Sequence, residues 1–158
     1  MSGGMRVGVL NGPNLNRLGK RKPQYGTRTL ADITADLDAT AARLGTTLCH
    51  FQSNYEGALV EWLHEHGEEL DAVILNPAGL TPHGRPLLDA LLDTDLPVAV
   101  VHISQLYRHY GDDTADLFRA TADVYVCGLG WRGYSASLER LHELREAQML
   151  QEAVQVLS

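Results

Sequence analysis

The sequence predicts an α/β fold: a flavodoxin-like three-layer α/β/α sandwich around a five-stranded parallel sheet. Three observations point to it. Short apolar runs alternate with segments of helical spacing along the chain. The runs Ala72-Val73-Ile74-Leu75 and Pro97–Ile103 are apolar at nearly every position, the pattern of strands covered on both faces. Polar clusters follow the strands: Asn11–Asn16, Ser53-Asn54, Asn76–Thr81 and His102-Ile103-Ser104. Open parallel sheets bind ligands at the carboxyl ends of their strands, near the switch in strand order.

The elements follow in sequence. Met5–Leu10 reads as a strand that runs into an Asn-rich turn broken by Gly12 and Pro13. Leu30, Ile33, Leu37, Ala41 and Leu44 have helical spacing. Thr47–Gln52 is strand-like. Ala58, Leu59, Trp62 and Leu63 mark a second helix, closed near Gly67. Ala72–Leu75 is a strand, Leu87–Leu92 a short helix, and Pro97–Ile103 a strand. Ala115–Ala122 reads as a weaker helix, Val124–Cys127 as the fifth strand, and the chain from about Tyr134 onward as a long helix. Right-handed crossovers leave few topologies for five such units. No linker, repeat or low-complexity tract interrupts them, so residues 1–158 read as a single domain.

Composition narrows the function classes. Hydrophobic residues make up 44% and charged residues 21% of the 158, an ordinary globular mixture. A net charge of −7 argues against a nucleic-acid or anionic-membrane partner. The chain has no apolar run long enough for a membrane span, and Met1–Gly4 reads as a loose start rather than a signal peptide. Cys49 and Cys127 fall in apolar strands and form no C-x-x-C pair; they read as buried free thiols of a reducing, cytoplasmic protein.

The polar clusters carry the chemistry. Asn76-Pro77-Ala78-Gly79 is both a turn and a source of an amide at the ligand rim. His102 ends an apolar strand, where a histidine is either a satisfied core group or an acid; the backbone N–H groups of Ile103 and Ser104 beside it can hold an anion. Tyr25 and Arg21 share an irregular segment. A free phenol ionises near pH 10, too high for a base at neutral pH, and a neighbouring guanidinium favours the phenolate. Gly128-Leu129-Gly130-Trp131-Arg132-Gly133 matches G-x-G-x-x-G. It follows the last strand, with no later strand to bear a ribose-binding acid, so it reads as a close turn that packs the final helix. The histidines are scattered, His64 and His66 lie two apart on a helix, and no metal site is expected.

Taken together these residues resemble the type II 3-dehydroquinate dehydratase (dehydroquinase) family, as a divergent member. The markers are Leu10–Asn16 with Leu18-Gly19, Arg21, Tyr25-Gly26, Gln52–Gly57, Asn76–Gly79, Asp89-Ala90, His102-Ile103-Ser104, and Gly128–Gly130 with Gly133-Tyr134. The resemblance implies a cofactor-free hydro-lyase of the shikimate pathway that acts on a small carboxylated substrate as a dodecamer built from trimers. It implies Tyr25 as base, Arg21 as its activator, Asn14 as enolate or water positioner, and His102 as acid. Asn76 would bind ring hydroxyls, Ile103 and Ser104 the substrate carboxylate, and Asp89 would approach a neighbouring subunit's site.

The departures concern the groups that read the ring. Leu80-Thr81-Pro82 stands where the family has Tyr-Thr-His, with His83 one place late. Val100 replaces a Glu two before the acid, so His102 is expected to lack its orienting carboxylate. Gln105 replaces an Asn, Leu88 an Arg, and a further substrate-contacting Arg falls near Asp113, where Arg108 and His109 are the nearby substitutes, out of register; for the lost ring readers as a whole, His83 and Arg108 are the substitutes at hand. The Arg21-to-Tyr25 spacing is one residue short. Sites that lose hydrogen-bond partners for a hydroxyl lose discrimination for it. Three readings follow: a 3-dehydroquinate dehydratase, a repurposed dehydratase, cyclase or isomerase acting on a different carbonyl substrate, and a non-catalytic scaffold. Retention of Tyr25, Arg21 and His102 argues against the last.

Overall fold

The computed structural model describes residues 3–158; of the loose start read at Met1–Gly4, Met1 and Ser2 lie outside the described residues. Five strands form one parallel sheet: β1 (Arg6–Asn11), β2 (Thr47–Gln52), β3 (Ala72–Asn76), β4 (Val98–His102) and β5 (Val124–Cys127). Their order is β2-β1-β3-β4-β5, the flavodoxin-like arrangement expected. The register sets Val9 beside His50 and Ile74, so the tips of β1 and β3 end level, with Asn11 beside Asn76.

The helices are α1 (Leu30–Leu44), α2 (Glu56–His66), α3 (Arg85–Asp93), α4 (Leu106–Tyr110) and α5 (Arg132–Leu157). Thr29 starts α1 with a reciprocal capping box to Asp32. Because strand side chains alternate faces, each central strand feeds two cores. Val7, Val9, Ile74, Ala99 and Val101 meet Ile33 and Leu37 of α1 and Leu138 of α5. Leu10, Val73, Leu75, Val98 and Val100 meet Leu59 and Leu63 of α2 and Leu87 and Leu91 of α3.

Several expectations are corrected. The two edge strands β2 and β5 are half-buried, and only β3 and β4 are fully enclosed along their length. Cys49 and Cys127 sit on those edges, free and half-buried rather than buried. Ala115–Ala122 is not an α-helix: one 3-10 turn covers Arg119–Thr121, and Phe118 is pinned in the core while Asp116 turns its carboxylate inward. Sequence reading missed α4, which Gln105 caps and which begins at Leu106, shortly after β4 ends at His102.

Two glycines set the spacing of the site's walls. A Cβ on Gly12 would meet the Pro77 carbonyl oxygen at 2.6 Å, so the loops after β1 and β3 close together only around a bare backbone. A Cβ on Gly133 would meet Val126 Cγ1 at 3.0 Å and Val101 Cγ1 at 3.2 Å, which seats α5 directly on the sheet. The G-x-G-x-x-G stretch is thus a packing turn, as read from sequence.

Candidate active site

The tips of β1, β3 and β4 and the loop between β1 and α1 enclose a cavity of about 210 Å³. Asn14, Arg21, Tyr25, Asn76, His102, Ile103 and Ser104 line it together. His83, Asp89 and Arg108 do not: His83 and Arg108 are exposed away from the wall, and Asp89 is exposed on α3, where it pairs with Arg85 at 3.2 Å. Pro82 and Leu106 are apolar parts of the wall, and Thr81, Tyr110 and Thr114 add hydroxyls to it.

Asn14 is held in a left-handed conformation, φ 69°, which Asn tolerates better than most residues. Its backbone N–H donates to Asn54 Oδ1 at 2.8 Å, and Gln52 Nε2 donates to the same oxygen at 3.2 Å, so the end of β2 fixes the turn after β1. Ala78, also on the cavity wall, has φ 51°, and its N–H donates to Asn76 Oδ1. An alanine in that region is strained by about 1–2 kcal/mol, which surrounding contacts must offset.

Asn76 is buried and already partly engaged. Its Nδ2 donates to Tyr134 Oη at 2.9 Å, and Tyr134 Oη donates to Asn11 Oδ1 at 2.6 Å. One donor and one acceptor position of Asn76 remain for a ligand. Burial drives the Tyr134 hydroxyl well above the usual phenol range, so it stays a neutral donor that ties β1, β3 and α5 under the cavity floor.

His102 is 5% exposed, and its Nε2 lies 2.8 Å from Asp116 Oδ2, a carboxylate with no exposed side-chain surface. The expectation that His102 lacks an orienting carboxylate is therefore corrected: Asp116, from the segment read as a helix, supplies it. Tyr125 Oη donates to the same Oδ2 at 2.7 Å, and the Phe118 N–H donates to Oδ1 at 2.9 Å. Burial pushes Asp116 up, but these hydrogen bonds and the charge of His102 outweigh it and hold the carboxyl below the ordinary aspartate range. Burial first, and then the hydrogen bond to Asp116, hold Tyr125 far above the usual phenol range. The result is an ionised carboxylate clamped behind an imidazole, with the tautomer and tilt of the ring set from behind.

On the facing wall, Arg21 stacks its guanidinium carbon 4.0 Å from the centre of the Tyr25 ring. Tyr25 Oη lies 2.8 Å from Tyr110 Oη, which ends α4. Nothing in sequence marked Asp116 or Tyr110. Asp116 is one of three aspartates between Gly111 and Leu117, and only the path of the loop distinguishes it.

This arrangement offers a phenol with a cation over its face and an imidazole with a carboxylate behind it, with Ile103 and Ser104 lining the same cavity. The family model described as dehydroquinase class II matches residues 5–142. A 3-dehydroquinate dehydratase of Roseiflexus castenholzii is 43% identical over 138 residues, covering 87% of this chain and 88% of that protein. A catabolic 3-dehydroquinase of Verticillium alfalfae is 42% identical, covering 85% of this chain and 90% of its own length. The crystal structure of the type II dehydroquinase from Propionibacterium acnes superposes with a TM-score of 0.82 at 33% identity, over 89% of this chain and 99% of that one. The two-wall cavity at the tips of a flavodoxin-like sheet thus sits in a chain that belongs to the class II dehydroquinase family.

Proposed function

We propose that this protein is a hydro-lyase that dehydrates 3-dehydroquinate, with Tyr25 as base and His102 as acid. One observation carries the reading: in a chain of this family, Tyr25, Arg21, Asn14 and His102 converge on one cavity. The Tyr25 phenolate takes the proton next to the substrate ketone, and that C–H electron pair moves into an enolate. Asn14 positions the enolate oxygen or the water bound to it. The enolate collapses to a conjugated enone as the hydroxyl leaves, protonated by His102, and water is released. Tyr25 ends protonated and His102 neutral; a proton exchanged through solvent restores both. Asp116 acts as counter-ion to the imidazolium that an acid must be, and with Nε2 engaged, Nδ1 is the nitrogen for the transfer. The N–H groups of Ile103 and Ser104 hold the substrate carboxylate, and Asn76 takes a ring hydroxyl with its remaining donor and acceptor. The reading assigns no step to a cofactor.

The dodecamer, the intersubunit role of Asp89 and a cytoplasmic location belong to the same reading. Exposed Asp89 on α3 is free to reach a neighbouring subunit once its Arg85 partner yields. Light scattering that gives a monomer mass at micromolar protein would remove the dodecamer and the intersubunit role of Asp89.

Pro82 on the cavity wall favours a second reading, in which the same enolisation acts on a carboxylated ketone with fewer hydroxyls. His83 and Arg108, the substitutes for the lost ring readers, then contribute nothing to binding. The assay is the ultraviolet absorbance of the conjugated enone formed from 3-dehydroquinate. A rise in absorbance at enzymatic rates is expected. No rise with well-folded protein would discard 3-dehydroquinate and leave the second reading.

A further inference from the structure

The base needs more than the cation over its ring. Arg21 meets the face of Tyr25, not its oxygen. Among the described residues, the side chain hydrogen-bonded to that oxygen is Tyr110, at 2.8 Å across 85 residues of sequence. Tyr110 is the last residue of α4. Gly111, at φ 103°, ends that helix, and its N–H donates to the Tyr107 carbonyl. At the start of α4, the Leu106 side chain is buried and its N–H donates to Cys127 Sγ. The short helix is therefore anchored to β5 at its start and closed by its own cap at its end, and the Tyr110 hydroxyl reaches the cavity from a half-exposed ring.

We infer that Tyr110 is a positioning residue for the base: its hydroxyl donates to the Tyr25 oxygen and holds the negative charge that this oxygen carries before it takes the substrate proton. The inference rests on the reading of Tyr25 as base. Two phenols at this distance share one hydrogen bond, so when Tyr25 is ionised Tyr110 has to be the donor. A hydrogen bond to an ionised acceptor is stronger than one between neutral groups, so it selects the phenolate. The surroundings of Tyr110 agree. The hydrogen bond with Tyr25, then burial, then the charge of Tyr25 raise Tyr110 above the usual phenol range, against the opposing pull of Arg21. Tyr110 thus favours its protonated, donating form. The titratable and charged groups on the cavity wall are Arg21 and Tyr25 from the loop, His102 from β4 and Tyr110 from α4, with Asp116 behind His102. His102 is committed to Asp116, which leaves Arg21 and Tyr110 to act on Tyr25.

The test compares wild type, Tyr110→Phe and Tyr25→Phe by two readouts. The first is the ultraviolet titration of tyrosinate without substrate, with Tyr25→Phe identifying the Tyr25 component. Loss of the Tyr110 hydroxyl is expected to move that component to higher pH by about one unit. The second is the pH profile of kcat/KM, whose acid limb is expected to move up by the same amount, with kcat reduced about tenfold near neutral pH and KM nearly unchanged. An unmoved Tyr25 component in folded Tyr110→Phe overturns the inference, whatever the substrate. Full activity in Tyr25→Phe would instead overturn the base assignment on which it rests. A merely structural role for Tyr110 would lower melting temperature and leave both pH midpoints in place, and that outcome also overturns it.

Discussion

Asp116 lies 2.8 Å from His102 Nε2 and shows no side-chain surface to solvent, so the imidazole at the tip of β4 has a fixed carboxylate behind it although Val100 replaces the acidic residue expected there. That carboxylate comes from the irregular loop between α4 and β5 rather than from β4 itself.

Asp116→Asn keeps the shape and removes the charge. Turnover should fall about 10²-fold, within the range of losing acid catalysis, while a Tyr125→Phe change in the same cluster should cost less. The losses of Asp116→Asn and His102→Ala should combine far below the product of the single effects, because both act on one proton transfer. Steady-state kinetics of the double variant decides this, and full multiplicativity would dissociate Asp116 from the acid.

Tyr25→Phe removes one hydroxyl from a partly exposed loop residue, so folding should survive while turnover drops by about 10²–10⁴-fold. Arg21→Ala should give a comparable defect through the same phenolate, and the two should again fall short of multiplying. Near-normal turnover of the true substrate by Tyr25→Phe would end the phenolate mechanism.

Stability should depend on pH at both extremes, with opposite signs. The carboxyl of Asp116 lies below its ordinary value in the fold, so its contribution is complete above about pH 4 and is lost as pH falls through the lower folded value. Tyr134 and Tyr125 lie above the usual phenol value of about 10; they stay protonated in the fold while the unfolded chain ionises, so stability declines as pH rises past about 10. Urea midpoints across pH should show both limbs. Tyr134→Phe should flatten the alkaline limb and lower stability at neutral pH, since Asn11 and Asn76 lose their shared partner. A variant with an unchanged alkaline slope would refute the assignment.

Gly133→Ala should destabilise by about 1–3 kcal/mol through overpacking against Val126 and Val101. Denaturant titration measures it. A stabilised variant would mean that α5 can lift from the sheet without loss.

The sequence alone determined the sheet, its order and most of one wall of the site. Val7, Val9, Val73, Ile74, Leu75 and the apolar run of β4 could belong only to strands covered on both faces, and such strands with intervening helices admit few topologies. Asn14, Asn76, His102, Ile103 and Ser104 were legible because each lies within a few residues of a strand tip, and a parallel sheet brings its tips to one edge. Tyr25 and Arg21 were legible as a pair of unusual residue types on one loop. Tertiary structure alone decided their partners. Asp116 reaches His102 from 14 residues away, and Tyr110 reaches Tyr25 from 85. Both come from the stretch after β4, where local spacing suggested a helix at Ala115–Ala122 and the chain instead forms α4 and an irregular loop. Apolar periodicity reports which side of an element faces the core. It is silent in an irregular segment, where burying Phe118 and satisfying the Asp116 carboxylate set the path of the backbone and so select which of several similar aspartates and tyrosines meets the site.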